Sequence, residues 1–319
     1  MNEFTIVKNY LKPLAYKNSN SLALNDDIFY DRKKRLAISV DSFTEGVHFV
    51  TSSRPRNFVK KILRSSLSDL YCKGVSPKSY FLSLALSKKC FNHTWLSELK
   101  KTLNSEQNKF NIFLGGGDTI RSSKLVITIT VIGYAKSKII LRNGSNFKDD
   151  IYVTGNIGDS FLGLSVIKKR SNFGVHNHFF KKKYYEPDLA SKFSPYLSKI
   201  ATSSIDVSDG IAQDLQHICK SSKCGAIINL NNLPVSAQCK KIISNKKINL
   251  INIFSNGDDY QILFTSNRRS RKRIVNLSKK LNIKISKIGY ITKDKNIFFN
   301  YNKAKFKLPA TKMGYTHTF

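Results

Sequence analysis

Six short aspartate groups recur along the sequence, beside glycine or at the ends of apolar runs. They are Asn25-Asp26-Asp27, Ser39-Val40-Asp41, Leu67-Ser68-Asp69, Gly115-Gly116-Gly117-Asp118, Asp206-Val207-Ser208-Asp209-Gly210 and Asn256-Gly257-Asp258-Asp259. Aspartate and asparagine favour turns because their side chains bond their own backbone, so one such group carries no function. Six groups with the same flanking chemistry require more than turns. Carboxylates that converge on one site repel each other unless cations neutralise them. No histidine or cysteine accompanies them as a ligand, and such hard oxygen donors suit magnesium. Magnesium keeps several waters and binds through a few carboxylates plus substrate phosphates, so a nucleotide substrate is implied.

Regular elements must deliver these groups. Leu36, Ile38 and Val40 alternate with Ala37 and Ser39, which predicts a half-buried strand ending at Asp41. Phe58, Val59, Ile62, Leu63, Ser66, Leu67, Leu70 and Tyr71 follow helical spacing, with Gly74 as the stop and Asp69 on the edge of the apolar face. A short strand over 111–114 runs into Gly115-Gly116-Gly117, read as a turn whose N–H groups can approach a phosphate. A second strand follows, with Leu125, Ile127, Ile129 and Val131 against Thr128 and Thr130. Ile211, Leu215, Ile218 and Cys219 predict a helix for which Ser208 or Asp209 would be an ordinary N-cap. Gly155 to Ser160 reads as a connecting turn between an apolar run and a helix.

Composition excludes several classes. At 41% hydrophobic residues the chain can bury a core, and disorder throughout is excluded. The longest apolar stretch, 125–135, is too short to span a bilayer, and the N-terminal residues lack an export core. Five scattered cysteines without a C-x-x-C pair argue against a disulfide framework and for a reducing, cytoplasmic setting. The net charge of +33 is spread over the whole chain with abundant Asn and Ile. It fits a compositional bias at least as well as a nucleic-acid surface, and the Arg268–Arg273 run opens a helix with Ile274, Leu277 and Leu281 on one face. No Walker-type glycine loop, no H-R-D, no D-F-G and no G-x-G-x-x-G occurs.

Taken in order, LNDD, ISVDSFTEGVHF, SLSDLYCKGVSPKSYFLSLAL, LGGGDTIRS, DDIYVTGNIGDSFLGL, SSIDVSDGIAQDLQHICKSSKCG, FSNGDDYQILFT, IGYI and MGYTHTF resemble the thiamine-monophosphate kinases over nearly the whole chain. These belong to the ATP-binding family that includes aminoimidazole ribonucleotide synthetase and selenophosphate synthetase. The resemblance implies an α/β (α+β), two-domain, aminoimidazole ribonucleotide synthetase-like fold. Residues 1–147 would form an ATP- and magnesium-binding half that dimerises as a β-barrel, and 148–319 a synthetase-like half with a mixed sheet flanked by helices. It implies a homodimer, several Mg2+ ions, and ATP and thiamine monophosphate as substrates. Asp27, Ser39, Val40, Asp41, Asp69, Asp118, Asp206 and Asp209 would hold metal, with Asp69, Asp118 and Asp209 serving catalysis through it. Gly117, Asp118, Arg142 and Ser208 would contact ATP, and His48, Asp258 and Tyr315 thiamine monophosphate.

Three departures stand out. Asn25 replaces a usual glycine at a turn that asparagine can enter in the left-handed conformation. Val40 replaces a threonine, leaving only its carbonyl for a metal, and Asp258 replaces a longer glutamate. The implied reaction needs no protein base, because a phosphate monoester, with a second pKa of about 6, is mostly deprotonated at neutral pH. Its demand is to bring two polyanions into line. A sibling enzyme of the aminoimidazole ribonucleotide synthetase type is the nearest alternative, and a basic nucleic-acid-binding protein the alternative from another class.

Overall fold

The β-branched run Val126–Tyr134 forms the middle strand of a five-stranded sheet, with Ile127, Ile129 and Val131 buried as the alternation predicts. Such side chains pack well on a pleated surface, which favours a strand here. The computed structural model describes residues 2–50, 54–245 and 247–316; His317, Thr318 and Phe319 of the terminal motif lie outside the described residues. The first sheet comprises β1 (Phe29–Asp31), β2 (Leu36–Thr44), β3 (Ser76–Leu86), β4 (Phe113–Arg121) and β5 (Val126–Tyr134), in the order β1-β2-β5-β3-β4. Two short helices, α1 (Glu3–Ile6) and α2 (Lys12–Ala15), precede it. Helix α3 (Pro55–Tyr71) packs on one face, and α4 (His93–Phe110) lies against α3. In this sheet, among the described residues, only β3 and β4 pair in parallel, which requires the crossover that α4 provides.

The β2 alternation is real, but its faces are reversed. Ala37, Ser39 and Phe43 are the buried members, whereas the Val40 side chain is 62% exposed on the other side. The polar residues turn toward α3 because Ser39 bonds Asp69 on that helix. Asp41 therefore points the same way as Ser39, from the middle of the strand rather than its end. The opposite face carries Val40, Phe81, Ile120 and Tyr134, all exposed. Among the described residues this sheet is open, with β1 and β4 as its edges, so no closed barrel forms within one chain.

The second sheet has seven strands: β6 (Asp150–Thr154), β7 (Ser203–Asp206), β8 (Gly225–Asn229), β9 (Ile262–Ser266), β10 (Ile285–Thr292), β11 (Ile297–Tyr301) and β12 (Ala304–Phe306). Their order is β12-β11-β8-β10-β6-β9-β7, and among the described residues β8–β11 alone is parallel, so the sheet is mixed. Ile151 and Val153 enter one core with α5 (Asp159–Ile167), α6 (Asn177–Tyr185), α7 (Ile211–Ser222), α8 (Ala237–Ser244) and α9 (Leu250–Phe254). Tyr152 and Phe264 enter a second core with Ile274 and Leu277 of α10 (Arg271–Leu281). Successive side chains of a strand face opposite ways, so this sheet is covered on both faces. The basic run before α10 is partly pinned, since Arg271 holds the buried Asp150 at 2.6 and 2.8 Å. Among the described residues no helix is long and apolar enough to cross a membrane, and all five cysteines are free and buried.

Candidate active site

Helix α3 crosses from the first sheet to the edge strand β7 of the second, and one flank of it is polar. Lys61, Ser65, Ser68 and Asp69 recur at spacings of three to four residues, so they stack on one side of the helix, and Cys72 continues the row as its C-cap. Ser39 of β2 donates to Asp69, and Ser68 donates to Asp206 at the end of β7, at 2.6 Å. Asp27, Cys72 and Asp206 each bring a ligand atom within 4.8 Å of the others.

Burial outweighs counter-charge in this cluster, since Lys73 and Arg142 act on these carboxylates only from beyond ion-pair contact. Burial pushes Asp69 well above the usual carboxylate range, and the charges of Asp41 and Asp206 push it further. Burial raises Asp41 to about 6, opposed by a bond from Ser66 and reinforced by Asp206. Asp206 is raised by burial against the opposing influence of Ser68, Lys73 and Arg142. Asp209 is raised by burial to about 7. The aspartates that do form ion pairs among the described residues are Asp26, Asp27, Asp150, Asp188 and Asp258, not these four. Crowded oxygen donors with no lysine or arginine in ion-pair contact among the described residues are the donor set that a hard divalent ion such as magnesium would suit.

Beside the cluster lies a cavity of about 600 Å3, which Asp41, His48, Lys61, Ser208, Asp209, Asp258 and Tyr315 help to line. Three residues expected to meet the acceptor thus share one chamber with Asp41, Asp209 and Ser208. The loop carrying Asp258 reaches Ser208 closely: the Asp258 N–H donates to the Ser208 carbonyl at 2.8 Å. Only glycine at 257 permits this, because a Cβ there would stand 1.8 Å from that carbonyl oxygen. Asp258 itself accepts from Lys61 Nζ at 2.9 Å and from the Tyr260 hydroxyl at 2.8 Å. The His48 backbone carbonyl accepts from Lys61 as well, and the Lys61 ammonium lies 3.9 Å from the centre of the Tyr184 ring.

Neither Ser208 nor Asp209 caps α7. Gly210 is the N-cap, and its N–H donates to Asp214 of the first turn, so the Ser208 and Asp209 side chains are released from the capping role. Asp209 instead accepts from Gln213 at 2.9 Å. Asn25 also departs from expectation: its φ is −101°, and the left-handed residues are Leu22, Ala23 and Leu24 just before it.

The glycine triplet is not a turn. Gly115, Gly116 and Gly117 lie inside β4, where a Cβ on Gly117 would come 1.9 Å from the Leu82 carbonyl oxygen of β3. The chain uses glycine there to let two strands pass closely, a need that composition alone does not separate from a phosphate loop. Asp118 pairs in register with Ser83, which aligns with Thr128 and then Ser42 of β2. It therefore faces the same side as Ser42, opposite to Asp41, and stands three strands away, roughly 14 Å. Within one chain Gly117 and Asp118 do not join the other carboxylates.

Arg142 meets Asp27 through two guanidinium nitrogens and Asp26 through its backbone N–H. Sequence reasoning missed Lys61 and Lys73, two buried lysines among many lysines. The signal for Lys61 was available: it continues the polar flank of an otherwise apolar helix, four residues before Ser65 and eight before Asp69. For Lys73, placed beyond the helix end, no such periodicity exists.

Comparison with known proteins agrees with this architecture. Residues 24–135 match the AIR synthase related protein, N-terminal domain, and residues 149–302 its C-terminal domain. The chain is 36% identical to the thiamine-monophosphate kinase of Buchnera aphidicola subsp. Acyrthosiphon pisum, over 99% of this chain and 98% of that protein. It is 31% identical to that of Haemophilus influenzae, over 91% of this chain and 89% of the relative. Among solved structures, AaThiL complexed with AMPPCP and TMP superposes with a TM-score of 0.84 at 22% identity, covering 99% of this chain and 97% of that one. Escherichia coli HypE, a hydrogenase maturation protein, follows with a TM-score of 0.69 at 16% identity, covering 88% and 86%. At these identities the structures establish the fold alone.

Proposed function

The chain belongs to the thiamine-monophosphate kinase family, and we propose that it transfers the γ-phosphoryl group of ATP onto the phosphate of thiamine monophosphate, giving thiamine diphosphate and ADP. One observation carries this reading to the chain's own residues: His48, Asp258 and Tyr315 share a cavity with Asp41 and Asp209. The complex of AaThiL with AMPPCP and TMP supports the choice of both substrates.

The acceptor phosphate needs no base, since its attacking oxygen is already ionised at neutral pH. Magnesium ions, when bound by Asp41, Asp69, Asp206 and Asp209 with Ser39 beside them, would neutralise the phosphates of both substrates. The chain's own groups position the reactants. Asp258, whose Oδ1 is held by Lys61 and Tyr260, would offer its carboxylate to the cationic thiazolium ring. Ser208, which lines this cavity, and Arg142, whose guanidinium meets Asp27, would contact the nucleotide phosphates.

Gly117 and Asp118 enter this proposal through a second copy of the chain. The exposed apolar face of the first sheet, with Val40, Phe81 and Ile120, supports a homodimer in which two open sheets close into a barrel. The division into 1–147 and 148–319 belongs to the same reading, supported by one sheet falling on each side. Free buried cysteines and the absence of a membrane-length helix among the described residues support a cytoplasmic enzyme.

The test is ADP release by the purified protein with ATP, magnesium and thiamine monophosphate, beside free thiamine. Turnover is expected with the monophosphate only. Asp258→Asn should raise the KM for thiamine monophosphate about tenfold with a smaller change in kcat, the loss of one charge-assisted contact. Equal turnover with free thiamine, or none by folded, ATP-binding protein, would overturn the assignment.

A further inference from the structure

Lys73 is 0% exposed, yet its ammonium is fully satisfied. Nζ lies 2.8 Å from Asp26 Oδ1, 2.7 Å from Asp27 Oδ2 and 3.0 Å from the Ser204 carbonyl oxygen. Three N–H donors meet three oxygen acceptors, which exhausts the group's capacity. The remaining carboxylate oxygens are also engaged. Asp26 Oδ2 accepts from the Arg142 N–H at 2.8 Å, and both Asp27 oxygens accept from the Arg142 guanidinium. Two carboxylates are thus balanced by one ammonium and one guanidinium. An entering divalent ion would have to displace a buried, fully bonded lysine and would leave the spot with excess positive charge.

The neighbouring carboxylates differ. Asp41, Asp69, Asp206 and Asp209 have no lysine or arginine in ion-pair contact among the described residues, although Asp206 is close to Asp27. The boundary between the two kinds of carboxylate runs between Asp27 and Asp206.

We infer that Lys73 is a resident cation that takes the place of a divalent ion between Asp26 and Asp27, so that metal binding ends at Asp206 and Asp27 is not a metal ligand. The lysine performs the neutralisation that an ion would perform, with a charge that cannot dissociate from the protein. This inference rests on the reading that the other four aspartates bind divalent ions. It makes Asp26 and Asp27 a permanent clamp between the N-terminal segment, the end of α3 and β7, present before any metal arrives.

The experiment counts bound Mn2+ by electron paramagnetic resonance titration of the full chain and follows thermal unfolding with and without Mg2+. Lys73→Met should bind one more Mn2+ per chain than the wild type. Its metal-free midpoint should fall, and Mg2+ should restore most of that loss. Asp27→Asn, which retains the Lys73–Asp26 pair, should keep the wild-type Mn2+ count. Equal counts for the wild type and a folded Lys73→Met would overturn the inference, and so would loss of an ion in Asp27→Asn. The latter decides the matter if Lys73→Met does not fold. Absence of Mn2+ binding by the wild type would overturn the metal reading of the four aspartates and this inference with it.

Discussion

Asp69→Asn should abolish turnover while making the metal-free protein harder to unfold. Asp69 lies at the centre of the uncompensated cluster, with Asp41 and Asp206 as the charges that most disfavour its ionisation after burial itself. Asparagine keeps the shape and can still accept from Ser39, but it removes an acid that the folded state ionises only against burial and the neighbouring carboxylates. The folded state then loses a cost that the unfolded chain never bears, so the urea midpoint of the metal-free protein should rise. Turnover should drop by about a thousandfold or more, because charge stabilisation in a desolvated site is usually the largest catalytic term. The measurements are thiamine diphosphate formation under single-turnover conditions and the urea midpoint in the presence of a chelator. A variant that loses both activity and stability would show Asp69 to be structural. Retained activity would remove it from the site altogether. The opposite signs of the two effects are what a functional carboxylate predicts, since sites are selected for chemistry at the expense of stability.

The metal-free protein should also lose stability as the pH rises from about 5 to 7.5, and Mg2+ should remove that loss. In the folded state burial raises Asp41 to about 6 and Asp209 to about 7, whereas both return to about 4 when unfolded. Between these values the folded chain holds protons that the unfolded chain has released. Stability therefore falls with rising pH, by at most about 1.4 kcal/mol per pH unit for each such group, and levels off above the folded-state values. Bound magnesium favours the ionised carboxylates and competes with the protons, so its stabilising effect should be larger at pH 7.5 than at pH 5. Urea midpoints at the two pH values, with and without Mg2+, test this. The comparison isolates the site, because groups remote from it contribute equally to both arms. An equal Mg2+ effect at the two pH values would show that these carboxylates are not where the ion binds.

Much of the molecule follows from local pattern. The buried alternation of β5, the apolar stripe of α3 with its stop at Gly74, and α7 after the Asp206–Gly210 group are all written in period and turn chemistry. Periodicity reports which residues share a face, and these elements have one dominant core-facing stripe. The aspartate groups stood out for a related reason, although the fold brings only some of them together and leaves Asp118 on the other face of the first sheet. In so basic a chain acidic residues are few, and their repeated pairing with glycine and serine is a composition signal that survives without any fold.

What local pattern did not decide was which face of a strand looks inward and which cation each carboxylate meets. β2 alternates either way, and the choice that buries Ser39 rather than Val40 depends on Asp69 arriving from a helix elsewhere in the chain. The triplet Gly115 to Gly117 suits a phosphate turn and a tight strand contact equally, and only its register with β3 distinguishes them. Lys73 is one of 54 basic residues in the sequence, with nothing local to mark it. Its ammonium meets Asp26 and Asp27 because the end of α3, the N-terminal segment and β7 converge at one buried point. Ion pairing in a desolvated interior depends on distances of a few ångströms between segments far apart in sequence, and those distances exist only once the chain has folded.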